Sequence, residues 1–231
     1  MRAGLAEHRG DIADRIVADP AKAWTMADRV AGYLPPIAEP GTYSYSSPSY
    51  ELLAYAVEQA TGVSYGTALR TEVLDPVGAD RILDQVAGGV TPQPWALPVD
   101  EHLGRFEATD MGAGGALSCL SSATSGTGAG SIASDAPSLA AWLWHLFAGD
   151  ILDDSTVSAM VEAVSDEWAY GWDRAPYPEP GAIANSGGKT GYGAQWVYFP
   201  ASRAIVVIFV NDPDFIVEPT VSALLHVATS E

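Results

Sequence analysis

The chain is poor in cations, cysteine, clustered histidine and long apolar runs. Its only lysines are Lys22 and Lys189, and 11 basic residues face 29 acidic ones, a formal charge of −18. Such a surface repels phosphate backbones and anionic lipid headgroups, so neither nucleic acid nor a membrane is an expected partner. A single cysteine, Cys119, rules out an intrachain disulfide. It sits in Ala116-Leu117-Ser118-Cys119-Leu120-Ser121-Ser122 with no basic neighbour, and reads as a small buried thiol rather than a nucleophile. His8, His102, His145 and His226 are scattered, without His-Glu-x-x-His or Cys/His spacing, so no metal and no other cofactor is expected. Gly-x-Ser-x-Gly does not occur, which removes an α/β-hydrolase elbow. Gly188-Lys189-Thr190 matches the end of a P-loop, but Ile183 stands where its first glycine belongs. No apolar run is long enough to span a bilayer, and Met1–Gly10 lacks the apolar centre of a signal peptide. As given, the chain reads as cytoplasmic; a true N-terminus further upstream would make it secreted.

What is present is a globular composition with 48% hydrophobic residues over 231 positions, enough for one structural domain of two lobes. Residues 11–34 read as helical and broken at Pro20. Tyr50 to Ala60 is an apolar helix that Gly62 can close, and Ser64 can cap the next, Tyr65 to Leu74. Residues 84–131 are rich in Gly, Pro, Ser and Thr and read as a long irregular region with room for a short strand or helical turn. Ser134 or Asp135 opens a strong helix with Pro137 in its first turn, and Ser155 begins another through Val164. The pattern then changes to strands at Glu167–Arg174, Ala182–Ser186, Gly193–Phe199 and Ala204–Asn211, with a hairpin turn at 200–203. Ile205–Val210 is apolar throughout, which requires cover on both faces, and a last helix over Val217–Ala228 can supply one. Helices first and antiparallel strands later give an α+β class: a helical lobe over 1–165, then a sheet and C-terminal helix over 166–231.

Four segments carry chemistry in a fixed order. The first is Pro40-Gly41-Thr42-Tyr43-Ser44-Tyr45-Ser46-Ser47, followed by Pro48-Ser49-Tyr50-Glu51-Leu52-Leu53, a hydroxyl-rich turn opening an apolar helix. Gly130-Ser131-Ile132-Ala133-Ser134-Asp135-Ala136-Pro137 opens a second helix, Tyr170-Gly171-Trp172 follows, and Asn185-Ser186-Gly187-Gly188-Lys189-Thr190-Gly191-Tyr192-Gly193-Ala194 closes the set. Together they resemble the serine β-lactamase and DD-peptidase superfamily, in particular its class C β-lactamase and esterase branch. That resemblance implies a transpeptidase-like fold and acyl transfer on a β-lactam, a D-Ala-D-Ala peptide or a small ester. It implies that Tyr45 is the acid/base tyrosine, a proton shuttle beside an activated hydroxyl. Ser47 falls where the superfamily has Asn, and so lacks the amide donors that hold a substrate. Lys189-Thr190-Gly191 spells the third box literally, but counting back from the glycine turn Gly191–Ala194 places that box at Asn185-Ser186-Gly187. In this register Asn185 replaces the cation that attracts a carboxylate, and Gly188 supplies a sheet-side oxyanion N–H. The other register, with Lys189 as the functional lysine, stays open.

The Ser-x-x-Lys nucleophile is not found. Asp19 stands three before Lys22, and the one literal match, Ser186-Gly187-Gly188-Lys189, needs a helix that two glycines oppose. The expectation is therefore a C-terminal part of such a fold, with the N-terminal part missing and no turnover as an isolated chain. The alternative is a non-catalytic binding module, a pseudoenzyme that self-associates or pairs with a chain completing the sheet. An unrelated enzyme using His102 with a nearby acid and a serine is a third reading. Trp95, Trp168, Trp172 and Trp196 are expected in the core, and His145 in a structural role.

Overall fold

Side-chain oxygens start most of the helices. The computed structural model describes residues 2–8, 11–88, 119–162, 181–189, 192–211 and 218–228. The 11–34 region forms α1 (Ile12–Ala18) and α2 (Met26–Val30), parted around Pro20. Thr25 caps α2 reciprocally: its side chain accepts the Asp28 N–H while the Asp28 carboxylate accepts the Thr25 N–H. Lys22 donates to the same carboxylate and holds it well below the usual carboxylate range. Helix α3 (Ser47–Thr61) begins ahead of the expected Tyr50, because Ser46 caps it and Pro48 fits its first turn. Gly62 ends it in the left-handed region at φ 73°. Ser64 caps α4 (Tyr65–Leu69), which runs on as a π turn (Arg70–Leu74) and a 3-10 turn (Asp75–Val77).

The Gly- and Ser-rich region holds more structure than its composition suggests. β1 (Leu83–Asp84) pairs antiparallel with β2 (Ile132–Ala133), and between them lie α5 (Gln85–Gly88) and α6 (Leu120–Ser125). Helix α6 is buried from Ser121 to Ser125 despite its hydroxyls. The Trp24 indole N–H donates to Ser121 Oγ at 2.7 Å, and Thr124 Oγ1 donates to the Leu120 carbonyl at 2.7 Å. Buried polar groups are tolerated when bonded in this way. Cys119 is buried as expected and caps α6, its sulfur accepting the Ser122 N–H at 3.3 Å.

Strands β3 (Ile183–Lys189), β4 (Tyr192–Phe199) and β5 (Ala204–Val210) form an antiparallel sheet in that order. Helix α7 (Ala136–Ala148), capped by Asp135, packs on one face. Leu143 and Leu146 meet Trp196, with Ile183, Tyr198, Ile205 and Val207 around them. Helix α9 (Glu218–Ala228) covers the other face, where Val221 joins Ala182, Ala184, Val197, Phe199 and Val206. The apolar β5 is thus covered on both sides, as its run of hydrophobic residues requires. Leu139 and Trp142 of α7 also pack against Leu74, Ala79 and Ile82, so one helix joins the helical part to the sheet. Helix α8 (Asp154–Val161) starts one residue before the expected Ser155, at an Asp153 cap. The expected strand Glu167–Arg174, its Tyr170–Trp172 segment, Val164 and the lobe boundary at 165/166 fall outside the described residues. Among those described, no helix is long and apolar enough to cross a membrane.

Candidate active site

The first candidate cluster is the turn into α3. The first N–H groups of a helix have no partner inside it and must find one elsewhere. At the start of α3 those of residues 47–49 are accounted for. The Ser47 N–H donates to Glu7 Oε2 at 2.7 Å, Pro48 has no N–H, and the Ser49 N–H donates to Ser46 Oγ at 3.3 Å. Ser46 Oγ in turn donates to the Ala6 carbonyl at 3.2 Å, and Ser46 is only 1% exposed. Tyr45 immediately precedes this cap and is 52% exposed. Ser47 is half-buried. Tyr50, in the first turn of α3, is pushed up by burial first and by its electrostatic interaction with Tyr45 second. Beyond Tyr50 an apolar groove of about 390 Å³ runs along α3, lined by Leu53, Ala54, Val57, Tyr65 and Gly128 among others.

The second cluster is β3. It runs straight through Gly187 and Gly188, because the register pairs Gly188 with Gly193 and Lys189 with Tyr192. Ser186–Lys189 is therefore extended backbone and not the helix a Ser-x-x-Lys pair needs. Side chains alternate across a strand. Ile183 packs toward α7 and Ala184 toward α9, so Asn185 is on the α7 face and Ser186 on the α9 face. Asn185 is half-buried opposite Trp196, while Ser186, Gly187 and Gly188 are exposed. A Cβ added at Gly187 would meet no atom within 4 Å. β3 is an edge strand among the described residues, so alternate residues turn their N–H and C=O groups away from β4. Tyr192 stands at the hairpin tip, where burial pushes its phenol up to about 12. A Cβ at Gly193 would lie 2.7 Å from Val210 Cγ2, so a larger residue there would require the Val210 side chain to shift.

This order of capped turn, bridging helix and glycine-rich edge strand matches a known family. The Beta-lactamase family model fits residues 1–228. The chain belongs to the beta-lactamase family. No curated protein matches the sequence. Solved structures give the fold at low identity. An octameric penicillin-binding protein homologue from Pyrococcus abyssi is 18% identical, with a TM-score of 0.72 over 100% of this chain and 54% of its own. A penicillin-binding protein from Bacillus halodurans is 17% identical, with a TM-score of 0.74 over 96% of this chain and 71% of its own. A D-amino acid amidase from Ochrobactrum anthropi SV3, complexed with D-phenylalanine, is 18% identical, with a TM-score of 0.68 over 100% of this chain and 70% of its own. The chain thus spans between about half and seven tenths of these structures.

Within this beta-lactamase-family chain the six candidate residues fall in two places. Tyr45 and Ser47 flank the cap of α3, and Asn185, Ser186, Gly187 and Gly188 follow one another on β3. Sequence reasoning passed over the residues that hold the first group: Ser46, Glu7 and Glu51. Ser46 carried a signal, a serine two before a proline at the start of an apolar helix. Glu7 and Glu51 carried none, because their partners are distant in sequence. Of the residues weighed for other roles, Trp196 is buried in the core, and His145 pairs with Asp150 at 2.8 Å at the C-terminal end of α7. His102, Trp95, Trp168 and Trp172 lie outside the described residues. Among those described, no three His, Cys, Asp or Glu side chains are grouped to hold a metal ion.

Proposed function

We propose that this chain carries the proton-transfer tyrosine and the sheet-side wall of a beta-lactamase-type serine hydrolase, working by acyl transfer. The substrate class is a β-lactam, a D-Ala-D-Ala peptide or a small ester; the D-amino acid amidase neighbours add D-amino acid amides to that set. In this reading Tyr45 moves the proton between an attacking hydroxyl and the leaving group, and Gly188 offers a backbone N–H to the developing oxyanion. Ser47 and Asn185 line the substrate on either side. Both substitutions weaken anchoring: Ser47 has lost an amide, and Asn185 puts a neutral group where a cation would attract a carboxylate. The observation that supports the reading most directly is Tyr45 itself, half exposed beside the buried Ser46 cap.

The helical Ser-x-x-Lys pair is not among the 231 residues, so this chain alone should form no acyl-enzyme. Incubation with a fluorescent penicillin, then denaturing electrophoresis, tests this. The expected result is no covalent label, and no turnover of nitrocefin or a nitrophenyl ester. A label that survives denaturation and disappears in Tyr45→Phe would overturn the inactivity while supporting the role of Tyr45. A second reading, a non-catalytic module that associates with another chain, is favoured by one observation: among the described residues, the outer edge of β5 pairs with nothing. Its test is the mass in solution.

A further inference from the structure

We propose that Arg2–His8 is a strap that sets the position of the Tyr45 phenol, with Glu7 as its positioning residue. The proposal rests on reading Tyr45 as the proton-transfer group. It begins from the contacts that strap residues make with residues 37–51. The Arg2 carbonyl accepts the Gly41 N–H at 2.8 Å, and the Gly4 carbonyl accepts the Ile37 N–H at 2.9 Å. The Leu5 carbonyl accepts from Ser44 Oγ at 3.5 Å, and the Ala6 carbonyl from Ser46 Oγ at 3.2 Å. Glu7 Oε2 accepts the Ser47 N–H, and His8 Nε2 shares a 2.7 Å hydrogen bond with Glu51 Oε1. The last four of these contacts, from Leu5 to His8, advance together along both segments, and the residues directly before and after Tyr45 are both held by them.

Both ends of the strap are fixed. Gly4 has φ +72°, and a Cβ there would sit 2.0 Å from the Ala38 carbonyl oxygen, so only glycine allows the approach. At the other end Glu51 is 0% exposed, and its second oxygen accepts the Tyr33 hydroxyl at 2.8 Å. A buried carboxylate with both oxygens bonded to separate segments resists displacement, because losing either partner leaves it unsatisfied. Glu7 stands between these anchors. Its Oε1 accepts the His8 N–H at 3.0 Å while Oε2 holds the Ser47 N–H, so one carboxylate joins the strap backbone to the first residue of α3. Glu7 acts through that backbone, and Tyr45 takes its place from it.

The test compares Glu7→Ala, Glu7→Asp and Glu7→Gln in the full chain. Tyr45 is followed by ring-labelled tyrosine NMR and by its nitration rate, read by mass spectrometry. Asp is one methylene short of bridging, while Gln keeps a carbonyl oxygen for the Ser47 N–H. The expected result is displaced Tyr45 ring resonances and a nitration rate changed by about threefold in Glu7→Ala and Glu7→Asp, as local opening allows. Tyr55 should stay at its wild-type rate, and Glu7→Gln should stay near wild type. If Glu7→Ala fails to fold, Glu7→Asp decides. Tyr45 unmoved in a folded Glu7→Asp protein overturns the proposal. Ligand binding separates the two readings, with a D-Ala-D-Ala peptide as a non-covalent probe. Binding that ignores Tyr45→Phe removes the role of Tyr45 but leaves the ring result intact. Binding that needs Tyr45 and survives Glu7→Asp with an unmoved ring removes the strap alone.

Discussion

Ser46 and Tyr45 are neighbours with opposite duties, and substitution should separate them. Ser46 Oγ caps α3 through Ser49 and donates to Ala6, so Ser46→Ala removes two bonds at a buried position. Losing an N-cap costs about 0.5–2 kcal/mol, and the uncompensated Ala6 carbonyl puts this case toward the upper end. Tyr45→Phe alters a half-exposed residue outside the cap, so its effect on stability should be the smaller of the two. Urea unfolding monitored by circular dichroism gives both values. Equal midpoint shifts would mean that Tyr45 is structural and would remove the best reason to treat it as functional. At this scale the sequence was uneven. Helix caps were legible because Ser64 and Asp135 act within a few residues of themselves. Glu51 was not: it lies in an amphipathic helix where a glutamate reads as solvated, and only folding brings His8 and Tyr33 to it.

Elements were legible where their stabilising pattern is local and apolar. Helix α7 has leucines and tryptophans at helical spacing, and β5 is apolar without interruption, so both were predictable from the chain. Helix α6 was hidden, because Leu-Ser-Ser-Ala-Thr-Ser has no apolar stripe and is buried by bonds to its own backbone and to Trp24. Strand β3 was expected to stop at Ser186 but continues to Lys189, because β4 supplies a partner for each residue through the two glycines. The β3–β4 hairpin also predicts a pH dependence. Tyr192 ionises in the unfolded chain near its ordinary value of 10.0, but in the hairpin burial holds its proton until about 12. Between these limits the unfolded state binds fewer protons than the native one, so stability falls as pH rises. Tyr192→Phe should make the decline of the urea midpoint between pH 10 and 12 shallower. It should not abolish it, since burial and the Glu51 carboxylate also push Tyr33 up, and burial raises Tyr50 and Tyr65. Parallel declines in both proteins would show that the Tyr192 phenol is no more buried than in the unfolded chain.

At the scale of the whole molecule two features oppose each other. Among the described residues β5 leaves one sheet edge unpaired, and large apolar side chains stand exposed, with Ile37, Leu53 and Val227 the most open. An open edge and apolar surface favour association. A formal charge of −18 on 231 residues opposes it, because two copies repel before either surface makes contact. Salt decides between them. Raising ionic strength from about 0.01 M to about 0.15 M shortens the screening length from about 30 Å to about 8 Å, and it leaves apolar attraction almost unchanged. Light scattering at several protein concentrations should therefore give a mass near that of one chain in low salt and a larger one in moderate salt. Binding of a hydrophobic dye should fall as the mass rises, because association covers the surface the dye reports. A lysine in place of the β5 edge residue Val207 discriminates poorly, since Val207 also packs toward α7. Peptide competition is cleaner: an added β-strand peptide that lowers the mass at fixed salt points to the edge, whereas one that leaves it unchanged points to the apolar side chains. A mass of one chain at every salt concentration, with no dye bound, would remove the associating module and leave the hydrolase reading alone.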